Sequence, residues 1–132
     1  MTPLRKYAVA PPEFRPVYTA ARCSAGLLVG DTFYVSGQLG MHPDGSIPSD
    51  AAEQYVLAFE NTSKVLAEAG LGFGDVVELV TFHTSLDDLV AFMAVKDRFI
   101  DTPPFPAWTG VGVAQLNGEG ALVEIKCIAI RS

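Results

Sequence analysis

The chain has 132 residues, about one domain's length. With 49% hydrophobic and 18% charged residues it excludes a disordered or low-complexity reading, because it has enough apolar surface to offset ordering entropy. Nine basic against fifteen acidic residues leave a net charge of -6, which opposes phosphate backbones and anionic lipid, so nucleic acid and membrane are not expected partners. Apolar runs fall far short of the roughly 20 residues that span a bilayer. The start, Met1 to Ala10, lacks a signal-peptide apolar region, and a soluble cytoplasmic protein is expected. Cys23 and Cys127 lie far apart with no Cys-x-x-Cys or Cys/His cluster, so two free thiols are expected.

There is no repeat, linker-like stretch or charge block, so residues 1–132 read as a single domain. Pro3, Pro11, Pro12 and Pro16 predict an irregular extended arm over residues 1–16. Val17 to Val29 and Thr32 to Gln38 are β-rich runs around the turn dipeptide Gly30-Asp31 and predict a hairpin. Met41 to Ser46 is dense in turn formers. Asp50 opens a helix, with Glu53 three residues on and Gly70 at its close, and Ala52, Val56, Phe59, Ser63 and Leu66 as its buried stripe. Val76 to Thr84 is β-branched and strand-like. A second helix spans about Asp87 to Ile100, with Leu89, Phe92, Val95 and Phe99 on its buried side, and stops at Pro103-Pro104. Ala107 to Ala114 and Ala121 to Ile130 are the last two strands, flanking a loop with the turn signal Asn117-Gly118.

The order ββαβαββ predicts an α+β layer, with two helices on one face of a mixed sheet. In the last strand Val123, Ile125, Cys127 and Ala129 form an unbroken apolar face suited to lie under the helices. The opposite face carries Leu122, Glu124, Lys126, Ile128 and Ile130, too apolar for water, and two helices cannot cover both sides. A homo-oligomer follows.

Among candidate functional residues, Glu124 stands first. A carboxylate in the middle of a β-branched strand is costly unless paired, hydrated or used. Either it forms a salt bridge with Lys126, two residues on, or it serves chemistry. Trp108, Gly110 and Gly112 share a face of one strand, and the glycines weaken that strand unless a ligand or another subunit approaches closely. His83, near a strand end, is either a proton carrier or a hydrogen-bonded core imidazole. Cys23 beside Arg22 is either an activated thiol or a half-buried inert one. Ser36-Gly37-Gln38 offers backbone donors at a strand end. No metal-ligand spacing, phosphate loop, nucleophile elbow or dinucleotide fingerprint occurs.

Tyr34-Val35-Ser36-Gly37-Gln38, the helix end Leu66 to Leu71, Asp75-Val76-Val77, Phe105-Pro106-Ala107, Val123-Glu124-Ile125 and Ile128-Ala129 together resemble the YjgF/YER057c/UK114 (Rid) family over roughly residues 15–131. Phe82-His83-Thr84, Pro103-Pro104-x-Pro106 and Trp108-Thr109-x-Val111-Gly112-Val113 resemble its YjgH-type branch. The resemblance implies a chorismate-mutase-like subunit in a homotrimer, with sheets packed into a central barrel and small-molecule clefts between subunits. It implies hydrolysis of reactive enamines and imines to a keto acid and ammonia, with no metal or organic cofactor. Glu124 sits where RidA-type deaminases have the glutamate thought to orient the attacking water, and Ser36-Gly37 matches the loop lining their cleft. Trp108 stands where those enzymes have the arginine that clamps the substrate carboxylate. An indole has one donor and no charge, so it cannot replace that clamp. Gly110 occupies the usual cysteine position, and Cys23 the place of a common active-site tyrosine.

The expected function is a deaminase-like hydrolase with catalytic Glu124 and specificity changed from 2-imino acids. Trp108, Ser36, Gly37, Gly110, Arg22, Cys23 and His83 are its expected substrate-binding residues. Trp108 and Glu124 are expected on adjacent strands, facing one cleft opposite the helices. The alternative is a family member that binds a small metabolite without chemistry. An endoribonuclease or translation inhibitor is disfavoured by the charge of -6 and the absence of a basic patch.

Overall fold

The alternation of the last strand decides the architecture. Val123, Ile125, Cys127 and Ala129 are all buried, and the strand that carries them, Val123–Ile130, lies inside the sheet with a partner on each side. The computed structural model describes residues 5–132. Its elements are β1 (Lys6–Val9), α1 (Arg15–Ala21), β2 (Gly26–Val29), β3 (Thr32–Leu39), α2 (Ala51–Glu68), β4 (Val76–His83), α3 (Leu89–Phe99), β5 (Ala107–Gly112) and β6 (Val123–Ile130). They form an α+β fold around one six-stranded mixed sheet of order β1-β2-β3-β6-β4-β5, in which only the β4–β5 pair is parallel.

Helices α2 and α3 bury one face of this sheet, with Phe59, Val65, Leu66, Phe92 and Val95 packed against Phe33, Val35, Leu79, Val123 and Ile125. Phe59 stacks on Phe92 and Phe99, with centroids 5.6 and 5.0 Å apart. Asp50 caps α2 by accepting from the Glu53 N–H at 3.0 Å, and Gly70 follows the helix at φ +74°. On the other face of the sheet Tyr34, Val111 and Ile130 remain 46%, 36% and 40% exposed.

Three expectations are corrected. The proline-rich start is ordered where it is described: Pro12 opens a 3-10 turn and Pro16 lies in the first turn of α1, where a missing N–H costs nothing. Residues 1–4, with Pro3, lie outside the described residues. The first hairpin strand begins at Gly26 rather than Val17, because residues 15–21 are helical and Arg22 ends the helix in the left-handed region at φ 55°. The buried face of α2 carries Gln54, Tyr55, Ala58, Phe59, Asn61, Thr62, Val65 and Leu66, so Ala52 is exposed and Val56 and Ser63 are half-buried. The helix turns polar residues inward because each is hydrogen-bonded. Gln54 bridges Pro48, Gly120 and Leu122, Asn61 holds Leu39 and Met41, and Thr62 donates to Ala58.

Candidate functional site

Near its end β3 gains a residue against β6. Val35 faces Cys127 and Gln38 faces Ile125, so the pair shifts register at Ser36-Gly37. A bulge of this kind bends its strand and re-aims the neighbouring side chains. Here it brings Gly37 against Glu124 of β6. A Cβ on Gly37 would fall 2.6 Å from Cδ of Glu124 and 2.9 Å from its Cγ and Oε2, so the carboxylate occupies the space a side chain would need.

Glu124 opens into a cleft of about 280 Å³ walled by α1, the bulge and the 41–43 loop, with Tyr18, Cys23, Ser36, Gln38 and Asn61 among its lining residues. Burial raises the Glu124 carboxyl above its ordinary 4.5, with nearby Lys126 opposing. The ion pairs among the described residues are Lys96–Asp97 and Arg131–Asp31, so the salt bridge to Lys126 is not formed. Pairing with a lysine is therefore not what keeps this charge in the strand.

The surrounding groups hold one another in place. The Ser36 hydroxyl donates to the Ser24 carbonyl at 2.6 Å. Buried Gln38 donates from Nε2 to the Tyr18 hydroxyl at 2.6 Å and to the Ser36 carbonyl at 3.0 Å. Burial raises the Tyr18 phenol above its ordinary 10.0, so it stays protonated at neutral pH. Tyr18 and Asn61 carried no signal as site residues in the sequence, and Gln38 was read only for its backbone beside Ser36-Gly37. Tyr18 was hidden because residues 15–21 read as strand and arm, whereas the short helix α1 carries its ring to the cleft.

Within one chain Trp108 does not join Glu124. β5 pairs with β4, and β6 lies on the other side of β4, so the two strands are not adjacent. The crossover through α3 makes β4 and β5 parallel neighbours and leaves the inner position to β6. Trp108 shares the register of buried Leu79 on the helix-covered side, whereas Glu124 shares that of Phe82 on the open side. The indole N–H donates to Thr81 Oγ1 at 3.0 Å, and Lys96 Nζ lies 4.9 Å from the ring centroid. His83, also on the helix side, contacts the same Thr81 oxygen through Nε2 at 2.8 Å and is 2% exposed. Burial lowers its pKa below 6.5. Gly110 pairs with Thr81 on that face, and a Cβ there would meet the Trp108 ring at 3.4 Å.

Of the expected site residues, Glu124, Ser36, Gly37 and Cys23 come together in the cleft, whereas Trp108, Gly110, His83 and Arg22 do not line it. Cys23 is exposed rather than half-buried, because the left-handed turn at Arg22 sets it at the end of α1. Both cysteines are free, and burial pushes the Cys127 thiol up to about 12.

A mixed six-stranded sheet of this order, with helices on one face, defines a class of small α+β proteins. Residues 15–131 match the family described as Endoribonuclease L-PSP, and the chain belongs to that family, the YjgF/RutC/Rid group. It is 39% identical over 127 residues to the RutC family protein YjgH of Escherichia coli (strain K12), covering 96% of this chain and 95% of that protein. It is 34% identical over 110 residues to the 2-iminobutanoate/2-iminopropanoate deaminase of Capra hircus, covering 82% and 79%. A solved structure of YjgH superposes with a TM-score of 0.87 at 38% identity over 96% of each chain. E. coli TdcF with bound serine superposes with a TM-score of 0.77 at 33% identity over 83% of this chain and 87% of that one.

Proposed function

We propose that the protein is a deaminase-like hydrolase that converts a small reactive imine or enamine to its carbonyl compound and ammonia, with Glu124 as the catalytic residue. One observation carries this reading: the Glu124 carboxylate is half-buried in the cleft without an ion-pair partner, seated where only a glycine at 37 makes room. Members of the family named as deaminases of 2-imino acids support the reaction class.

The chemistry needs little machinery. A protonated imine carbon is already electrophilic, so the protein must place a water and manage its protons. Glu124 accepts one proton as the water oxygen bonds to the carbon, giving a carbinolamine. The carboxyl then returns the proton to nitrogen, the C–N bond breaks, and ammonia leaves as the C=O forms, its last proton passing to solvent or to the amine. A carboxyl raised by burial suits a group that must take and give back a proton.

Specificity differs from that for 2-imino acids, because Trp108 stands at the arginine position and its single N–H is spent on Thr81. The active form is a homotrimer with its clefts between subunits, working in the cytoplasm. Ammonia release from imines with and without a carboxylate, by wild type and by Glu124→Gln, tests the reading. Turnover abolished by the substitution is expected. Ligand binding with no turnover of any imine would favour a binding protein instead.

A further inference from the structure

Glu124 sits on the last rung that β3 and β6 share, opposite Leu39. Ahead of that rung the residues leading into β6 have no β3 partner, because β3 ends at Leu39 and the chain turns off at Gly40, where a Cβ would collide with the Gln54 carbonyl oxygen. Helix α2 supplies the missing partner. The Gln54 side chain accepts from the Leu122 N–H at 2.9 Å and donates to the Gly120 and Pro48 carbonyls at 2.9 and 2.8 Å, so both its N–H groups and its oxygen are used. By serving Gly120 and Leu122 together it does for the start of β6 what a neighbouring strand would do. On the other side the Leu122 carbonyl accepts from the Thr84 N–H at 3.1 Å. Seven residues along the same face of α2, Asn61 donates to the Leu39 and Met41 carbonyls at 3.0 and 2.8 Å. Gln54 and Asn61 are 1% and 4% exposed, so a backbone group that either released would be left buried without a partner.

We infer that Gln54, aided by Asn61, is a positioning residue for Glu124: the two amides clamp both strands of the Leu39–Glu124 rung to α2 and so set where the carboxylate stands against Gly37. A core amide with a structural role alone would tie loops together anywhere along the helix. These bonds fall instead on the residue across from Glu124 and on the residue two before it. The far side of the carboxylate has no slack, since a Cβ on Gly37 would lie 2.6 Å from its carbon. A group that must place a water loses rate steeply when its support loosens. The inference rests on the hydrolase reading for what Glu124 does, and on bonds within one chain for where it is held.

NMR titration of the Glu124 carboxyl in the full chain, beside kcat and KM for ammonia release, tests this. Burial holds that carboxyl above 4.5, so in Gln54→Met, where the start of β6 is freed and water gains access, its titration should move down towards 4.5. Lys126 on β6, Tyr18 and Cys23 at α1, and Glu13 and His42 along the cleft are the other titratable groups around it, and the substitution leaves all of them in place. At the same time kcat should fall about tenfold or more with KM little changed. Val95→Ala, a cavity in the core under α3, should lower stability and leave the Glu124 titration as it is in the wild type. If Gln54→Met does not fold, Gln54→Asn, which keeps the amide and shortens its reach, is read in the same way. A folded Gln54 variant with the wild-type Glu124 titration and kcat overturns the inference, as does an equal shift in Val95→Ala. Because the titration needs no turnover, the expected shift in a protein that releases ammonia from no imine would sink the hydrolase reading alone. Turnover abolished by Glu124→Gln but untouched by Gln54→Met would sink this inference alone.

Discussion

Gly37 and Glu124 share one volume: the Cβ that Gly37 lacks would lie 2.6 Å from the Glu124 carboxyl carbon. Gly37→Ala should therefore act through Glu124. The obstructing atoms belong to a side chain that can swing away, so the fold should survive with a loss of about 1 kcal/mol, an ordinary value for a point substitution. Ammonia release should fall about a hundredfold as the carboxylate leaves its position. Denaturant unfolding and steady-state kinetics separate the two effects, and a variant with full activity would show that the position of Glu124 does not matter.

Glu124→Gln should be more stable than the wild type at neutral pH while inactive. Burial raises the folded-state carboxyl above 4.5, so between 4.5 and that raised value the folded state holds more proton than the unfolded one. Stability is then lost as pH rises through this window, and the ionised wild type carries the deficit at pH 7. The amide has no such deficit. A gain of about a few tenths of a kcal/mol, small because solvent screens the half-exposed carboxylate, should appear in urea unfolding at pH 7 and shrink below pH 4.5. An equally large gain at pH 4 would show that charge is not its cause.

Much of the fold was legible because period and burial agree. The strict alternation in Val123 to Ala129 placed β6 under the helices, and Phe92 and Val95 fell at the spacing of a buried helical face. Glu124, Ser36, Gly37 and Cys23, which share the cleft, stood out in the sequence through charge in a strand, a strand glycine and family likeness. Legibility ended where long-range pairing decides. Nothing local in Ala107–Gly112 says that β5 pairs with β4 rather than β6, and that choice sends Trp108 to the face opposite Glu124. Gln54 and Asn61 also misled, because their burial depends on hydrogen bonds to segments distant in sequence, and Thr62 because its hydroxyl is satisfied by the Ala58 carbonyl within the helix.

His83 should make stability fall with acid. Trp108 Nε1 donates to Thr81 Oγ1 at 3.0 Å, and the buried His83 Nε2 shares that oxygen at 2.8 Å. The folded pKa of His83 lies below 6.5 through burial. Below 6.5 the unfolded chain takes up a proton that the folded one refuses, and stability drops as pH falls from 6.5 towards the folded value. His83→Gln retains a hydrogen-bonding partner for Thr81 and removes the titration, so its unfolding free energy should be flatter than that of the wild type between pH 6.5 and 5. Parallel slopes for the two proteins would assign the acid sensitivity to other groups.

The homotrimer is the prediction on which the shape of the site depends. The sheet face away from α2 and α3 exposes Tyr34, Val111 and Ile130 in an isolated subunit, and each large apolar side chain left in water forgoes about 1.5–3 kcal/mol of burial. A face of this kind is stable when a second copy covers it, and the family likeness sets the number at three. Light scattering should give three times 14.1 kDa at micromolar concentration. Ile130→Lys, which puts a charge on that face far from the Glu124 cleft, should shift the mass towards the monomer while the helical content persists. Because a cleft between subunits needs its neighbour, ammonia release should fall in parallel with the trimer fraction across a dilution series. A stable 14.1 kDa wild-type monomer would overturn the assembly. A monomeric variant with full turnover would show instead that the Tyr18, Gly37 and Glu124 wall suffices within one chain.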